Sequence, residues 1–481
     1  MARVALGLIL LLQACGRVAE STATTSCEPG VAAAATQPSR PGAIDVTVQR
    51  LGAGCGMVLV SSAIPLAPRM LTEAQTSQVR LFVGGKEQAL HVEALPSAHA
   101  DGSLRAVLVQ FSYPLNYGTP VSGQLVIEQR RRTTDIPKPT ADRGRPAAVV
   151  LPTDPAYLIS TDIVGPTLTA SATARLSPVF QRYESDFRRY ADSHWNRTGA
   201  AWADDYYDRV QIYYAWWVRT GEVEFWKRAT AMALSYRRDF LERNAYGASP
   251  HWSQLEGLEK HYLLTGDEAT RVAVGRVAEQ FLKLQPELGI TSSWWENRIQ
   301  ARLLQAYFLA WRLQAVGTTP QNWAALLDES LTKVLSTQTA DGSYRFAALC
   351  GGSLNYMTGL LNDQLIKHYT YYKADPRIPG AVQGAVDFLW TTQWVPTAQA
   401  FKYNSVACAG VGDETPSPDL NNLMVTGFGW LYTRTGNTVY RDRGDQIFAG
   451  GVAGAYLAGT KQFNEEYTAS YRYPAYRQAS R

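Results

Sequence analysis

The sequence predicts a multidomain chain of mixed α and β structure: a β-sandwich followed by an (α/α) toroid of about five to six helical hairpins. Three observations carry that reading. The hydrophobic period changes from two to about 3.6 part-way along the chain. Tight glycine-containing turns recur through the second part, and the helices on either side of each turn differ in character.

At 481 residues the chain is long enough for two hydrophobic cores. Apolar residues make up 46% and charged residues 18%, a globular rather than a disordered composition. The net charge of +4 is small for this length and the basic residues are scattered, so a nucleic-acid partner is not expected. A local basic cleft for an acidic substrate needs no global excess of charge.

Residues 1–15 read as a lipoprotein-type signal peptide. A single Arg precedes a short apolar run at residues 4–12, too short to span a bilayer, and Leu12-Gln13-Ala14-Cys15 is similar to the bacterial lipobox. Cys15 is the expected lipidation site, and residues 16–42, rich in Ser, Thr, Ala and Pro, form a flexible tether. The expected location is the bacterial periplasm or outer membrane, lipid-anchored, with plain secretion as the alternative; the membrane is met only through the lipid. Cys27, Cys55, Cys350 and Cys408 remain, an even number that suits an oxidising compartment. Proximity in sequence suggests Cys27–Cys55 and Cys350–Cys408 among the three pairings four cysteines allow.

The β-sandwich is placed at residues 43–130. Alternating runs such as Ile44-Asp45-Val46-Thr47-Val48 and Val79-Arg80-Leu81-Phe82-Val83 are separated by Gly84-Gly85 and Asp101-Gly102 turn signals. Residues 131–170, opening on a proline- and charge-rich stretch, read as a linker and connecting segment. Residues 171–481 form the expected toroid and catalytic domain. Its turns are Thr220-Gly221-Glu222, Thr265-Gly266-Asp267, Val316-Gly317-Thr318, Lys373-Ala374-Asp375-Pro376 and Thr435-Gly436-Asn437. Gly supplies the left-handed helix end, and the polar residue after it an N-cap. Helices before the turns are apolar on most sides and those after them are striped, which implies an inner ring wrapped by an outer one. An open α-solenoid is the structural alternative.

Returns from outer to inner helices are long: residues 193–205, 244–252, 289–298, 345–363 and 406–422. In a toroid they emerge at one rim, at the inner-helix N-termini, where amide donors favour anionic groups. Trp195, Trp202, Trp252, Trp294, Trp295 and Tyr356 there offer flat faces for sugar rings. Interleaved polar residues include His194, Arg197, Asp204, Asp205, His251, Glu256, Glu296, Asn297, Arg298, Asn362, Asp363, Asp413 and Glu414. His261 and His368 lie inside inner helices and read as core histidines.

The stretch His251-Trp252 … Gly257-Leu258 … His261-Tyr262 … Thr265-Gly266-Asp267 resembles helical repeats of (α/α)-toroid enzymes acting on polysaccharides, the polysaccharide lyases among them. Residues 62–111, with 151–168, are similar to the β-sandwich preceding the toroid in exo-rhamnogalacturonan lyase-like proteins. The resemblance implies an acidic polysaccharide or oligosaccharide substrate.

β-Elimination from a uronate needs a group that neutralises the C6 carboxylate, a base for the C5 proton and an acid for the leaving oxygen. The candidates are Arg298 and Asn297 as neutralisers, His251 as base, and Tyr356, Tyr207 or Tyr206 as acid. Trp195, Arg197, Trp252, Trp294, Trp295, Asp205, Glu256 and Asn362 are candidate substrate contacts. Hydrolysis needs two carboxylates, for which Glu256 and Asp205 are the candidate pair. A non-catalytic glycan-binding lipoprotein is the third reading. No cofactor or metal is required; calcium at Asp413-Glu414 is the one ion the sequence leaves open.

Overall fold

The computed structural model describes residues 42–203, 206–292 and 296–479. The expected signal peptide with Cys15, and the tether up to residue 41 with Cys27, therefore lie outside the described residues.

Eight strands open the fold: β1 (Ile44–Arg50), β2 (Met57–Pro65), β3 (Val79–Val83), β4 (Lys86–Glu87), β5 (His91–Ala94), β6 (Ala106–Pro114), β7 (Val121–Ile127) and β8 (Ala148–Pro152). They form one sheet in the order β4-β3-β7-β1-β8-β2-β6-β5. All neighbours are antiparallel except β2 and β8, which meet in parallel at Val60 and Ala148. Here the sequence reading needs correction. The segment 131–170 is not only a linker, because β8 lies within it and stitches β1 to β2, making one sheet of what would otherwise be two. Prolines and charges dominate the start of that segment and obscure the five-residue run Ala148–Pro152, which is fully buried.

Side chains alternate along these strands because successive Cβ atoms point to opposite faces. Val107, Val109, Phe111, Ala148 and Val150 join Val46, Val48 and Leu81 in the core of the sheet. Ala63, Ala106, Leu108, Val149 and Leu151 face the other way, into the helical core. One sheet therefore serves two cores.

Short helices α1 (Pro155–Ser160) and α2 (Ala170–Ala174) lead into α3 (Pro178–Thr198). Pairs follow: α4 (Arg209–Thr220) with α5 (Val223–Ser235), α6 (Leu255–Thr265) with α7 (Glu268–Phe281), and α8 (Asn297–Arg312) with α9 (Trp323–Leu335). Then come α10 (Asn355–Tyr371) with α11 (Arg377–Phe388), and α12 (Val425–Thr435) with α13 (Thr438–Gly454). The chain closes with α14 (Thr460–Tyr467) and α15 (Tyr473–Gln478). Every residue of α6, and almost every residue of α4 and α8, is buried, whereas α5, α7, α9, α11 and α13 alternate buried and exposed positions. Helices α4, α6, α8, α10 and α12 touch in sequence order. The C-terminal segment touches both ends of that series, α15 against α12 and α14 against α4.

Gly221, Gly266 and Gly436 end α4, α6 and α12 with φ of 74°, 71° and 68°, the left-handed cap that glycine adopts without a Cβ clash. The turn between α10 and α11 falls at residues 372–376, as expected, without a glycine, and the turn after α8 differs. Helix α8 stops at Arg312, and Gln314 rather than Gly317 takes the left-handed conformation. Of the residues after the glycines, only Asn437 caps the next helix with its side chain; Asp267 instead binds Arg237 and Thr270. The turn after α6 rests on the sheet, with Leu108 against Gly266, and that after α4 rests on the connecting segment, with the Thr153 carbonyl against Gly221. The tight-turn end is thus covered there, and the opposite end carries the inner-helix N-termini.

Gly257 marks the closest approach of α6 to α4: a Cβ there would lie 2.4 Å from Val210 Cβ and 2.5 Å from Asp208 Oδ1. Asp208 caps α4 through Gln211 N and also accepts from Gly257 N at 2.7 Å. Gly257→Ala is expected to lower stability by about 1–3 kcal/mol through overpacking, read as a lowered denaturant midpoint at unchanged slope.

Candidate active site

Beneath the inner-helix N-termini lies a buried layer of charge. Glu256 on α6 pairs with Lys367 on α10 and accepts from Gln305 Nε2 of α8 at 2.9 Å. Lys367 also binds Asp363 at 2.7 Å, and Asp363 pairs with Arg472 of the C-terminal segment. One turn deeper, Glu259 binds Lys260 at 2.8 Å and Arg312 at 3.1 Å. Burial alone would push the Glu256 carboxyl up, but Lys367, Lys260 and Arg472 outweigh it and hold the group well below its ordinary value of 4.5. Glu256 is therefore an ionised, fully paired anchor, which does not suit it to serve as a protonated acid in the candidate hydrolytic pair or as an open substrate contact. It stands in the first turn of α6, but its partners Gln305 and Lys367 lie well inside α8 and α10, which places it on the axis below the rim.

Above this layer, several candidates meet around Arg298, the second residue of α8. Its guanidinium donates to Glu296 Oε1 through Nε at 3.0 Å and Nη2 at 2.7 Å, and lies 5.1 Å from the centre of the Tyr206 ring. Trp252 meets Tyr206 edge-on at 5.8 Å and lies 6.0 Å from the His251 ring. His251 sits in the turn before α6, half-buried, with Nδ1 3.1 Å from Ser249 Oγ. Burial, and next the Arg298 charge, lower the proton affinity of its imidazole, so it is neutral at pH 7. Tyr356, in the first turn of α10, lies 5.6 Å from Tyr403, ring to ring. Burial holds its hydroxyl well above 10, and Arg298 is near enough to pull in the opposite direction. His251, Arg298, Tyr356, Tyr206 and Trp252 are thus one neighbourhood.

Other candidates stand elsewhere. Tyr207 is 1% exposed, under Arg298 and Tyr403 rather than open to a substrate. Asn297 is buried and spends an amide hydrogen on Thr358 Oγ1 at 3.0 Å, bracing α8 against α10. Asn362 is buried in the third turn of α10 beside Gly427 of α12, because that helix begins at Asn355, inside the expected loop. Trp195 and Arg197 belong to the last turn of α3, which runs through what reads as a loop. Trp195 packs on Tyr213 and under Arg228, and Arg197 reaches His194 and the Ala458 carbonyl. Trp202 stacks on Phe240 at 3.9 Å as core packing. His261 is held between Tyr214 and Asp267, and burial lowers His368 to about 4. Asp204, Asp205, Trp294 and Trp295 lie outside the described residues. Cys350 and Cys408 form a disulfide beside Tyr403, and Cys55 is also disulfide-bonded. Asp413 turns back on Thr415 N and Glu414 pairs with Lys402; no cluster suited to a metal exists among the described residues.

Four residues around Arg298 and Tyr206 carry no flag in the sequence. Lys461 Nζ lies 5.2 Å from the Tyr206 ring centre, a second cation on that ring beside Arg298, and pairs with Glu465 at 3.0 Å. Burial raises Glu465 and Asp419, which also repel one another. Tyr403 completes the group. The return into α14 is short, so residues at that helix start escape a search guided by long loops. Tyr206 itself holds φ of 64°, a backbone conformation uncommon for an aromatic residue and often found at functional sites.

No family model matches the chain, and no curated protein is similar to it in sequence at a significant level. Among solved structures it is similar to the unsaturated glucuronyl hydrolase of Bacillus sp. GL1, at 10% identity and TM-score 0.42 over 62% of this chain and 95% of that one. A second is the unsaturated glucuronyl hydrolase of Streptococcus agalactiae, at 12% identity and TM-score 0.43 over 62% and 92%. A third is a polysaccharide lyase, at 11% identity and TM-score 0.37 over 87% and 59%. Each is a likeness in backbone course alone.

Lys367→Met would leave Glu256 without its direct cation, at an expected cost of about 3–5 kcal/mol. The sign with pH follows from the depressed carboxyl. Its stabilisation is present above 4.5 and is lost as pH falls below it toward the folded value. The deficit of the variant, measured by chemical unfolding, is therefore expected to be larger at pH 7 than at pH 4.

Proposed function

We propose that this chain is a glycan-degrading enzyme of (α/α)-toroid architecture, a polysaccharide lyase that cleaves a uronate-containing glycan by β-elimination at the Arg298 rim. One observation carries the reading: a neutral imidazole, a fixed guanidinium and a phenol, from the starts of three inner helices, share one neighbourhood. Arg298 would neutralise the C6 carboxylate, so that the C5 proton becomes acidic enough to remove. His251, its ring held at Ser249 Oγ through Nδ1, would take that proton on its imidazole. Electrons from the C5–H bond form the C4–C5 double bond as the C4–O bond breaks. Tyr356 would protonate the departing oxygen, and its proton is restored from His251 through water. Trp252 and Tyr206 would provide the stacking face. We further propose that the chain is exported and held to a membrane by a lipid on Cys15.

A specific observation supports hydrolysis as a second reading: Glu296 and Glu465 flank Arg298, and burial raises the proton affinity of both. A raised carboxyl is what a general acid requires.

The two readings separate in one assay. With pectic, alginate and glucuronan-type polysaccharides, a lyase gives an unsaturated product absorbing near ~235 nm, whereas new reducing ends without that absorbance mean hydrolysis. For the lyase, His251→Ala and Tyr356→Phe are each expected to lower kcat by about 10²–10⁴-fold while circular dichroism is unchanged. Retention of activity in His251→Ala would overturn the assignment of the base.

The pH profile gives an independent check. A base whose pKa is lowered stays neutral to lower pH, so the acid limb of kcat/KM should reach its midpoint below 6.5. The limb should vanish from the residual activity of His251→Ala.

A further inference from the structure

At the opposite end from the rim, the sheet, the connecting segment and the C-terminal ends of α8 and α10 enclose a cleft of about 450 Å³. Its wall includes Arg69, His99, Asp101, Arg105, Asp162, Arg312 and Tyr371. The central feature is Arg105, just ahead of β6. It is 4% exposed, yet no carboxylate pairs with it among the described residues. Its Nη2 donates to the Asp162 carbonyl at 3.2 Å, Nη1 reaches His99 Nδ1 at a long 3.4 Å, and Nε has no partner.

Glu259 and Asp162 favour this cation from a distance, but neither forms an ion pair with it. His99 Nε2 lies 2.9 Å from the Leu66 carbonyl, which only accepts, so Nε2 carries the hydrogen and Nδ1 faces Arg105 as an acceptor. The imidazole is then neutral; burial, and after it the Arg105 charge, lower its proton affinity. Glu259, the carboxylate behind Arg312, is divided between Lys260 and Arg312. Asp162 accepts from the Tyr371 hydroxyl at 3.1 Å, and Asp101 turns back on Ser103. Burial lowers the Arg105 guanidinium to about 10, and Arg312 adds to the effect, which still leaves a full cation at neutral pH. A buried cation without a carboxylate partner is an expensive arrangement, and an oxyanion in the cleft that this guanidinium lines would balance its charge. Arg69, exposed at the mouth, adds a third guanidinium.

We propose that this cleft is a second ligand site, distinct from the rim, which binds a compact oxyanion through Arg105, with Arg312 and Arg69 as flanking cations. Its ligand is a sugar carboxylate or a free phosphate, which share that chemistry. The site does not rest on the reaction proposed for the rim.

Thermal unfolding and calorimetric titration with sodium glucuronate, inorganic phosphate and glucose, at fixed ionic strength, test the proposal. Both are repeated on Arg298→Ala so that binding at the rim is separated. Glucuronate, phosphate or both should raise Tm in a saturable manner, and glucose should not. A response to glucuronate alone identifies the sugar acid, and to phosphate alone the free ion. Arg69→Ala, at an exposed position, should weaken binding about tenfold, the loss of one charge-assisted contact. Arg105→Gln should abolish it while leaving the ligand-free Tm unchanged or higher, because an unpaired buried charge has been removed. A purely structural Arg105 predicts the reverse, a fall in ligand-free Tm. Absence of any anion response in the Arg298→Ala protein, or a response that survives both cleft substitutions in that background, overturns the site.

Discussion

The helical half is organised by an ionic layer on its axis. Inner helices are buried on almost every face, so hydrophobic contact alone would let them slide and rotate. Glu256, Lys367, Asp363 and Arg472 remove that freedom, because each charge must meet a partner on another element or remain unpaired in a low-dielectric interior. Gln305 of α8 donates to the same carboxylate. Helices α6, α8 and α10 and the C-terminal segment are thereby tied at one depth, and the C-terminal segment is bound to the centre rather than left as a tail.

That layer determines what the rim can offer. Carboxylates on the axis are consumed by cations and act as anchors, so chemistry falls to residues above them. Arg298 and Tyr356 stand in the first turns of α8 and α10, and His251 precedes the first turn of α6. Their helices are locked just below, which fixes where the side chains emerge. Asp208 adds to this by capping α4 and holding Gly257, so that the starts of α4 and α6 are one unit. A polar site of this kind needs such a base, since a displacement of about 1 Å can cost about a hundredfold in rate.

Much of the architecture is legible in the sequence, because helix period and glycine caps are local signals. The switch from alternating strands to helices, and the contrast between VQIYYAWWV in α4 and the striped α5, follow directly from which faces are buried. The strand β8 is not legible, since Ala148–Pro152 is short and its partners β1 and β2 are far away in sequence. Site residues divide in the same way. Position at a helix start singles out His251, Arg298 and Tyr356, but loop length misleads for Trp195, Arg197 and Asn362, which lie within helices. No sequence rule places Lys461 or Tyr403: Lys461 joins the others only once the C-terminal segment has packed against α4 and α12, and Tyr403 only because its carbonyl accepts from Asn355 N at the start of α10.

The two ends of the helical half follow opposite electrostatic rules. At the rim, helix N-termini present amide donors, and Arg298 adds positive charge to an end already favourable to anions. At the sheet end, helix C-termini present carbonyls and favour cations: Arg312 stands in the last turn of α8, and Arg105 donates to the Asp162 carbonyl. Arg312 is paired with Glu259, whereas Arg105 has no carboxylate partner among the described residues and its Nε remains unfilled. Structural demand at a helix end thus accounts for part of the charge in the cleft. The remainder is the quantity that a bound oxyanion would balance.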